Sequence, residues 1–144
     1  MREEHRIYVC KEWGGTGYLN DAIAQKIKDT GFAKSLIMAD SAETKSIDEI
    51  KRMGIPHIKP CTKGKGSILT GIDKIKQYEL IIHPDCANIK EELENYSWKK
   101  DKQTNEYINE PIDKWNHYLD ALRYSMQCLD QRKRLITMNK DLLF

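Results

Sequence analysis

Residues 35–40 read Ser-Leu-Ile-Met-Ala-Asp, an apolar run that ends in a carboxylate. Because the run is apolar without alternation, it predicts a central strand that is covered on both faces. An aspartate at the end of such a strand costs free energy unless it is paired, capped or bound to a metal ion. Two interpretations of Asp40 therefore stay open. It caps the turn or helix that begins at Ser41-Ala42, or it is a metal ligand, with Glu43 as an auxiliary ligand.

Strands and helices alternate on both sides of this run, which indicates an α/β layered domain. A chain of 144 residues is long enough for one such domain, and we interpret residues 1–144 as a single domain. The predicted strands cover 5–13, 35–39, 55–59 and 80–82, with a surface strand or hairpin at 96–99. The predicted helices begin at a cap on Asn20 or Asp21, at a capping box on Ser46, at 68 and at 89, and the final helix covers 113–131 behind Pro111.

The composition suits a soluble globular domain, with 40% hydrophobic and 32% charged residues. No apolar run approaches the ~20 residues of a membrane span. The opening Met1-Arg2-Glu3-Glu4 lacks a signal-peptide pattern, so we expect no membrane partner and a protein that stays in the compartment where it is made. The net charge of +2 is too small to imply nucleic acid by itself.

The final predicted helix has two faces of different character. One stripe is apolar, and the opposite side carries Asp113, His117, Asp120 and Tyr124. In one interpretation the stripe is core and the polar side faces solvent. In the other, the polar side faces a metal cleft, with Asp120 as a ligand and His117 as an outer ligand or proton shuttle. The stripe consists of Trp115, Leu119, Leu122, Met126 and Leu129.

The cysteines and histidines offer a second metal hypothesis. Two pairs, His57-x3-Cys61 and His83-x2-Cys86, have spacings that a structural zinc site accepts. Strand alternation and turn geometry explain the same residues without a metal. The four cysteines include no Cys-x-x-Cys pair, which favours reduced thiols.

Two basic segments are candidates for contact with a nucleic-acid backbone. Lys63-Gly64-Lys65-Gly66-Ser67 precedes a predicted helix and lacks the spacing of a Walker A loop. Its glycines and lysines still form a suitable phosphate seat. Trp98 beside Lys99 and Lys100 offers a ring for stacking and two charges for a phosphate strand. The alternative is that each segment is an ordinary solvated surface.

Four ordered segments resemble the C-terminal nuclease domain of the large terminase subunit of tailed bacteriophages. Residues 39–47, ADSAETKSI, are similar to that family's ADSAEPKSI segment, and 63–72 are similar to its KGxGSIxxGI segment. Residues 92–98, ELENYSW, and 116–124, NHYLDALRY, match two further motifs. The resemblance runs from about His5 to Tyr124.

The resemblance implies an RNase H-like mixed sheet flanked by helices and a metal-dependent DNA endonuclease that cuts concatemeric phage DNA during packaging. By motif, Asp40, Asp120 and His117 would belong to a site for two Mg²⁺ or Mn²⁺ ions. The implied partners are double-stranded DNA, the terminase small subunit and the portal, and the implied location is the cytoplasm of the bacterial host. The lysines expected at the DNA are Lys63, Lys65, Lys99 and Lys100.

The chain departs from the family pattern at its beginning. The family's first strand, with a further metal-binding aspartate, is expected before His5, so the fold is predicted to lack its first strand or strands. We accordingly expect an incomplete nuclease whose partner is the missing N-terminal terminase segment. The strand that ends at Asp40 is then expected to have an unpaired apolar edge. The rival hypothesis is a non-catalytic remnant of a split or truncated terminase that binds DNA or a packaging partner.

Overall fold

The computed structural model describes residues 5–130 of the chain, which divides into two compact units. Among these residues, the first unit comprises 5–14 and 76–120, and the second comprises 15–75 and 121–130. Helices and strands alternate along the chain, which confirms the predicted α/β class. The assignment of residues 1–144 to a single domain stays a prediction. Within the described residues, no helix is both long and apolar enough to cross a membrane.

The first unit contains a parallel pair of strands and a helix. Strand β1 (Arg6–Val9) pairs with β4 (Glu79–Ile82), which is followed by helix α4 (Ala87–Asn95). Along both strands, partly buried apolar residues alternate with exposed residues, as expected where one face of a sheet is covered. Tyr8 and Ile81 are register partners on the exposed face.

An antiparallel hairpin also belongs to the first unit. Its strands are β5 (Trp98–Lys100) and β6 (Tyr107–Pro111). Asp101 holds the connecting turn, because its Oδ1 accepts hydrogen bonds from the backbone N–H groups of Gln103 and Thr104 at 2.8 and 2.9 Å. The predicted hairpin at this position is therefore confirmed.

The second unit begins with three helices and two strands. Strands β2 and β3 pair in parallel, with Ile37 opposite Ile58. Within residues 5–130, β3 is the strand neighbour of β2, and the other edge of β2 has no strand partner in that part of the chain. The elements are α1 (Asn20–Asp29), β2 (Ile37–Ala39), α2 (Thr44–Arg52), β3 (Ile58–Pro60) and α3 (Ser67–Lys76). Helix α5 (His117–Ser125) starts in the first unit and ends in the second.

A cluster of small and branched apolar side chains forms the core of the second unit. Its buried members are Ala24 on α1, Ile47 and Ile50 on α2, Ile55 in the segment before β3, and Ile58 on β3. Ile47 and Ile50 are three residues apart, so they project from the same face of α2. This core holds β2 and α2 together and thereby fixes the segment between them.

Several predicted boundaries were wrong for local reasons. Helix α2 begins at Thr44 rather than at a capping box on Ser46, because a 3₁₀ turn at Ser41–Glu43 leads directly into it. Helix α1 has Leu19 at its N-cap position without a side-chain cap. Neither Asn20 nor Asp21, the two predicted caps, is the N-cap residue, and the Asn20 side chain instead donates a 2.8 Å hydrogen bond to Glu49 on α2. The strands predicted at 5–13 and 35–39 are shorter than expected.

The start of the final helix was also predicted wrongly. Pro111 ends β6 instead of opening a helix, and Trp115 has a φ of 57°, which is a left-handed conformation that interrupts helical geometry. Helix α5 therefore begins at His117 instead of Asp113. Its predicted end at residue 131 lies outside the described residues. The apolar stripe is confirmed at Leu119 and Met126, which are buried, but Trp115 is 42% exposed.

Candidate functional site

Asp40 lies directly after β2, where it caps the 3₁₀ turn Ser41–Glu43. Its Oδ1 accepts a 2.9 Å hydrogen bond from the backbone N–H of Ala42. A side-chain oxygen at this position satisfies a backbone donor that the start of a helical turn leaves without a partner. The capping interpretation of Asp40 is therefore confirmed. The metal interpretation stays open, because an ionised carboxylate offers about four acceptor positions.

Lys63 forms an ion pair with the same carboxylate. Its Nζ lies 2.5 Å from Asp40 Oδ1, and the Lys63 and Asp40 side chains are 40% and 50% exposed. The hydrogen bond from Lys63 is the largest cause of a lowered pKa of Asp40. The amide of Ala42 adds to this effect, and burial opposes it. Asp40 is therefore ionised at neutral pH, which is the state that a metal ligand must have.

Tyr124 completes this group, which we call the Asp40 cluster (Asp40, Lys63 and Tyr124). Lys63 Nζ lies 5.3 Å from the centroid of the Tyr124 ring, within cation–π range. A hydrogen bond with the Tyr124 side chain also contributes to the lowered pKa of Asp40. Tyr124 is only 8% exposed, so the interpretation that placed it on a solvent-facing side of the final helix was wrong.

A pair of amide hydrogen bonds holds the segment that carries Lys63. The backbone N–H of Thr62 donates to Gln127 Oε1 at 2.8 Å, and Gln127 Nε2 donates to the Thr62 carbonyl at 3.0 Å. Gln127 thereby fixes the backbone next to Lys63.

Gly71 on α3 is needed for close packing in the same unit, because a Cβ at this position would lie 2.4 Å from Arg123 Cγ.

His117 and Asp120 lie in the first turn of α5, in the first unit. His117 is exposed and Asp120 is partly buried. The backbone N–H of Asp120 donates to the Asn116 carbonyl at 2.7 Å, so Asp120 has regular helical backbone geometry. The structure therefore places these two predicted residues on one turn, and it gathers Asp40 and Lys63 in the second unit.

Glu92 on α4 caps the helix that carries His117 and Asp120. Its Oε2 accepts hydrogen bonds from the backbone N–H groups of Tyr118 and Leu119 at 2.8 and 2.9 Å. Glu92 is only 6% exposed, although a carboxylate is rarely buried unless it is paired. Helix-terminal amides supply that pairing, and the positive end of the helix dipole favours the negative charge. Our sequence reasoning missed this role.

Glu12, just after β1, caps α4 in the same way. Its Oε1 accepts from the backbone N–H and the side-chain Nδ2 of Asn88 at 2.9 and 2.8 Å, and its Oε2 accepts from Ile89 N–H at 2.9 Å. In the first unit, one carboxylate thus ties the end of β1 to α4, and Glu92 ties α4 to α5. This series of contacts positions the turn of α5 that carries His117 and Asp120.

Glu12 should make stability depend on pH. Burial is the largest single influence and raises its pKa, but the hydrogen bonds from Asn88 and Ile89 together outweigh burial and lower the pKa below the ordinary value of 4.5. The unfolded chain therefore binds a proton more readily than the folded chain. We expect the Glu12 contribution to be complete above about pH 5 and to be lost as pH falls through the lowered pKa.

This expectation is tested by urea unfolding at a series of pH values from neutral to acidic. Relative to the wild type, Glu12→Gln should flatten the fall in unfolding free energy below about pH 5. Glu94→Gln, which changes an exposed carboxylate on α4, is the matched control. Equal acid sensitivity in the wild type and Glu12→Gln would contradict the assignment.

A cleft of about 560 Å³ adjoins the start of α5 in the first unit. It is lined by His117 together with polar groups of α4 and of the loop before α5. Asn116 donates a 3.2 Å hydrogen bond to Asp113 in this loop. The cleft gives a solute access to the His117 side chain. Its lining residues are Asn88, Glu91, Glu92, Asp113, Lys114, Trp115, Asn116, His117 and Tyr118.

Lys65 lines a smaller pocket of about 200 Å³ in the second unit. Lys74 and Arg123 also line this pocket, together with the acidic Asp130. Lys74 forms an ion pair with Asp130 and donates to the Met126 carbonyl at 3.3 Å. Lys65 therefore lies at a concave surface beside two further basic side chains, and DNA binding by Lys65 stays a prediction.

Lys99 and Lys100, the two hairpin lysines that are predicted to bind DNA, both contact other side chains of the protein. Lys99 forms a 3.0 Å ion pair with Glu110, and Lys100 Nζ lies 4.9 Å from the centroid of the Tyr107 ring. Tyr107 is 64% exposed, so the Lys100 contact lies at the surface. Exposed ion pairs contribute little to stability, so the Lys99 ammonium can leave Glu110 for another anion at little cost. DNA binding by Lys99 and Lys100 stays a prediction.

The residues of the zinc hypothesis divide between the two units. His57 and Cys61 belong to the second unit, and His83 and Cys86 belong to the first. Burial raises the pKa of the Cys86 thiol, with a further contribution from the Glu12 charge. Within residues 5–130, no three His, Cys, Asp or Glu side chains form a group ready to hold a metal ion. The zinc hypothesis therefore has no assembled ligand set in this part of the protein.

Comparison with known families supplies the observation that decides the classification. A family model described as "Terminase RNAseH like domain" matches residues 2–128. The chain belongs to this family. The terminase resemblance is therefore confirmed, and the match covers most of the chain.

Individual relatives of this terminase domain agree with the family match. The chain is 30% identical over 129 residues to the PBSX phage terminase large subunit of Bacillus subtilis (strain 168), covering 86% of this chain and 28% of the relative. It is also 30% identical over 133 residues to the terminase large subunit of Bacillus phage SPP1, and this alignment covers 88% of this chain and 30% of the relative. The chain thus spans less than a third of the length of these relatives.

A solved structure confirms the fold of this terminase domain. The crystal structure of the g2p (large terminase) nuclease domain from bacteriophage SPP1 with bound Mn aligns with a TM-score of 0.79 and 30% sequence identity. The alignment covers 88% of this chain and 73% of the g2p chain. The fold is therefore RNase H-like.

Proposed function

We propose that this chain is a metal-dependent DNA endonuclease domain that acts in phage DNA packaging, with Asp40, His117 and Asp120 as its metal-binding residues. The observation that carries the proposal is the Asp40 carboxylate, which is half exposed and held ionised at the end of β2. Membership of the terminase RNase H-like family supports the proposal, as does the g2p nuclease domain, whose crystal structure has bound Mn.

The donor chemistry of these residues fits Mg²⁺ or Mn²⁺. Two carboxylates supply the oxygen ligands that these hard cations prefer, and the imidazole of His117 would serve as an outer ligand. Asp40 is already ionised, and His117 is exposed. The resemblance implies two metal ions and a third carboxylate from a first strand, and we assign no residue of the described part of the chain to that role.

The proposed reaction is hydrolysis of a phosphodiester bond in double-stranded DNA. Bound Mg²⁺ or Mn²⁺ would supply an activated water and neutralise charge on the scissile phosphate. His117, exposed in the first turn of α5, exchanges a proton with solvent or with the leaving oxygen. Lys63, Lys65, Lys99 and Lys100 contact phosphates and hold the duplex. The proposed partners are concatemeric DNA, the terminase small subunit, the portal and an N-terminal terminase segment, in the bacterial host cytoplasm.

The first experiment measures Mn²⁺ binding to the wild type and to Asp40→Asn by isothermal titration calorimetry. We expect Asp40→Asn to lower Mn²⁺ affinity about tenfold or more, because a charged ligand becomes a neutral one. Asp48→Asn on α2 is the matched control, since Asp48 is an exposed aspartate of the same unit. Unchanged affinity in Asp40→Asn would remove Asp40 from the site.

A plasmid-nicking assay in Mn²⁺ tests the reaction itself. The chain is assayed alone and together with an upstream terminase segment that supplies a further carboxylate. Cleavage in either preparation that disappears with Asp40→Asn supports the nuclease. If neither preparation cuts, while both fold cooperatively and bind DNA, the non-catalytic binding role becomes the better account.

A further inference from the structure

The ion pair in the Asp40 cluster has a property that the nuclease assignment alone does not explain. Lys63 Nζ and the Ala42 amide both bind Asp40 Oδ1, at 2.5 and 2.9 Å. The proposed metal ligand therefore already holds a cation. Two cations at one carboxylate oxygen repel each other at such short separation. The ammonium and a divalent ion are competitors for this oxygen.

The Lys63 ammonium can leave Asp40 at little cost. Both side chains of the pair are about half exposed, and exposed ion pairs contribute little to stability. Four methylene groups give the ammonium a long reach, while the Gln127 hydrogen bonds hold the adjacent backbone at Thr62. The Lys63 ammonium can therefore move while the backbone at Thr62 stays in place.

The segment after Lys63 is open to a large anionic ligand. Among residues 5–130, a Cβ added at Gly64 or at Gly66 would meet no atom within 4 Å apart from its chain neighbours, so the Cβ side of the backbone is open there. A phosphate backbone can approach such a surface closely. Lys65 lies between these glycines and is exposed. A freed Lys63 ammonium would thus be next to an uncovered basic segment.

We propose that Lys63 is a resident counter-ion of Asp40 that yields this carboxylate when a divalent cation binds and then contacts the DNA backbone. Metal loading and DNA binding are thereby coupled through one side chain. The proposal rests on the proposed function, because it requires Asp40 to bind the metal ion. In this role Lys63 acts through Asp40 and through a phosphate, and it is not a metal ligand.

The metal half of the proposal is tested by Mn²⁺ titration of Lys63→Met, which keeps a long side chain and removes the charge. We expect Mn²⁺ affinity to rise about two- to fivefold, because no ammonium has to be displaced. Lys63→Arg should not raise it. Lys59→Met, at an exposed position on β3, is the control and should match the wild type. Equal or weaker Mn²⁺ binding by Lys63→Met would overturn the proposal.

The DNA half is tested with a short phosphorothioate duplex in Mn²⁺ and in EDTA. For each condition the slope of log affinity against log salt concentration is measured for the wild type and Lys63→Met. In Mn²⁺ the slope for the wild type should be steeper than the slope for Lys63→Met by about 0.9, which is the value for one phosphate contact. In EDTA the slopes of the two proteins should agree. A difference already present in EDTA would mean that Lys63 binds DNA without regard to the metal.

The proposed metal site and the proposed Lys63 exchange are contradicted by different results. If Asp40→Asn binds Mn²⁺ as well as the wild type, the proposed function fails and the exchange fails with it. If Asp40→Asn loses affinity while Lys63→Met does not gain it, the metal site stands and only the exchange is wrong. Thermal unfolding of each variant identifies any substitution that acts by disturbing the fold.

Discussion

Replacing Glu92 by alanine is expected to lower the free energy of unfolding by about 2–4 kcal/mol. The carboxylate accepts backbone N–H groups of Tyr118 and Leu119, and these donors lose their protein partner in the variant. Leu119 is buried, so water does not readily replace the lost acceptor at its amide. Each buried donor without a partner costs about 1–3 kcal/mol. Urea denaturation followed by circular dichroism measures the change.

The neighbouring residue offers a close control for this prediction. Glu91 lies on the same helix and is exposed, so Glu91→Ala should change stability by no more than about 0.5 kcal/mol. Glu92→Gln keeps an acceptor oxygen but loses the charge, and its effect should fall between the other two. If Glu92→Ala and Glu91→Ala prove equally mild, the buried cap does not hold α5.

Asp120→Asn is expected to reduce plasmid nicking at least about 100-fold in any preparation that cuts. The substitution preserves the shape of the side chain and removes the negative charge that the proposed metal site needs. Loss of several kcal/mol of charge stabilisation corresponds to a rate loss of this size or larger. Asp120 is partly buried within α5, and the amide keeps its volume, so the helix should form normally.

The comparison for Asp120→Asn is Asp73→Asn, an exposed aspartate on α3. It removes the same charge from the protein and should leave the nicking rate within a factor of about two. The far-ultraviolet circular dichroism spectrum checks that α5 is retained. Cleavage by Asp120→Asn at the wild-type rate would exclude Asp120 from the reaction.

The sequence predicted the type of most elements, because local patterns report local structure. The apolar run before Asp40, the helix at 68–75 and the hairpin near Trp98 all have clear periodicity or turn residues. The terminase motifs led to Asp40, His117 and Asp120 as candidates. Their roles at a metal site stay predictions, since membership of a family does not by itself identify the ligands.

The interactions around these candidates could not be predicted from the sequence. The partners of Glu92 are 26 and 27 residues away, and the partner of Lys63 is 23 residues away, so no local pattern relates them. One signal for Glu92 was available, because it follows Ile89 by three residues and so shares its buried face of α4. The left-handed Trp115, which sets the start of α5, has no such signal, because glycine is the usual residue there.

The two carboxylate caps also bear on the order in which the first unit folds. Glu12 and Asn88 are 76 residues apart, so this cap forms only after a long loop has closed. The entropic cost of closure rises with loop length, and contacts between distant residues slow folding. Glu92 reaches α5 across a much shorter segment. We therefore expect the α4–α5 contacts to form before the contacts between β1 and α4.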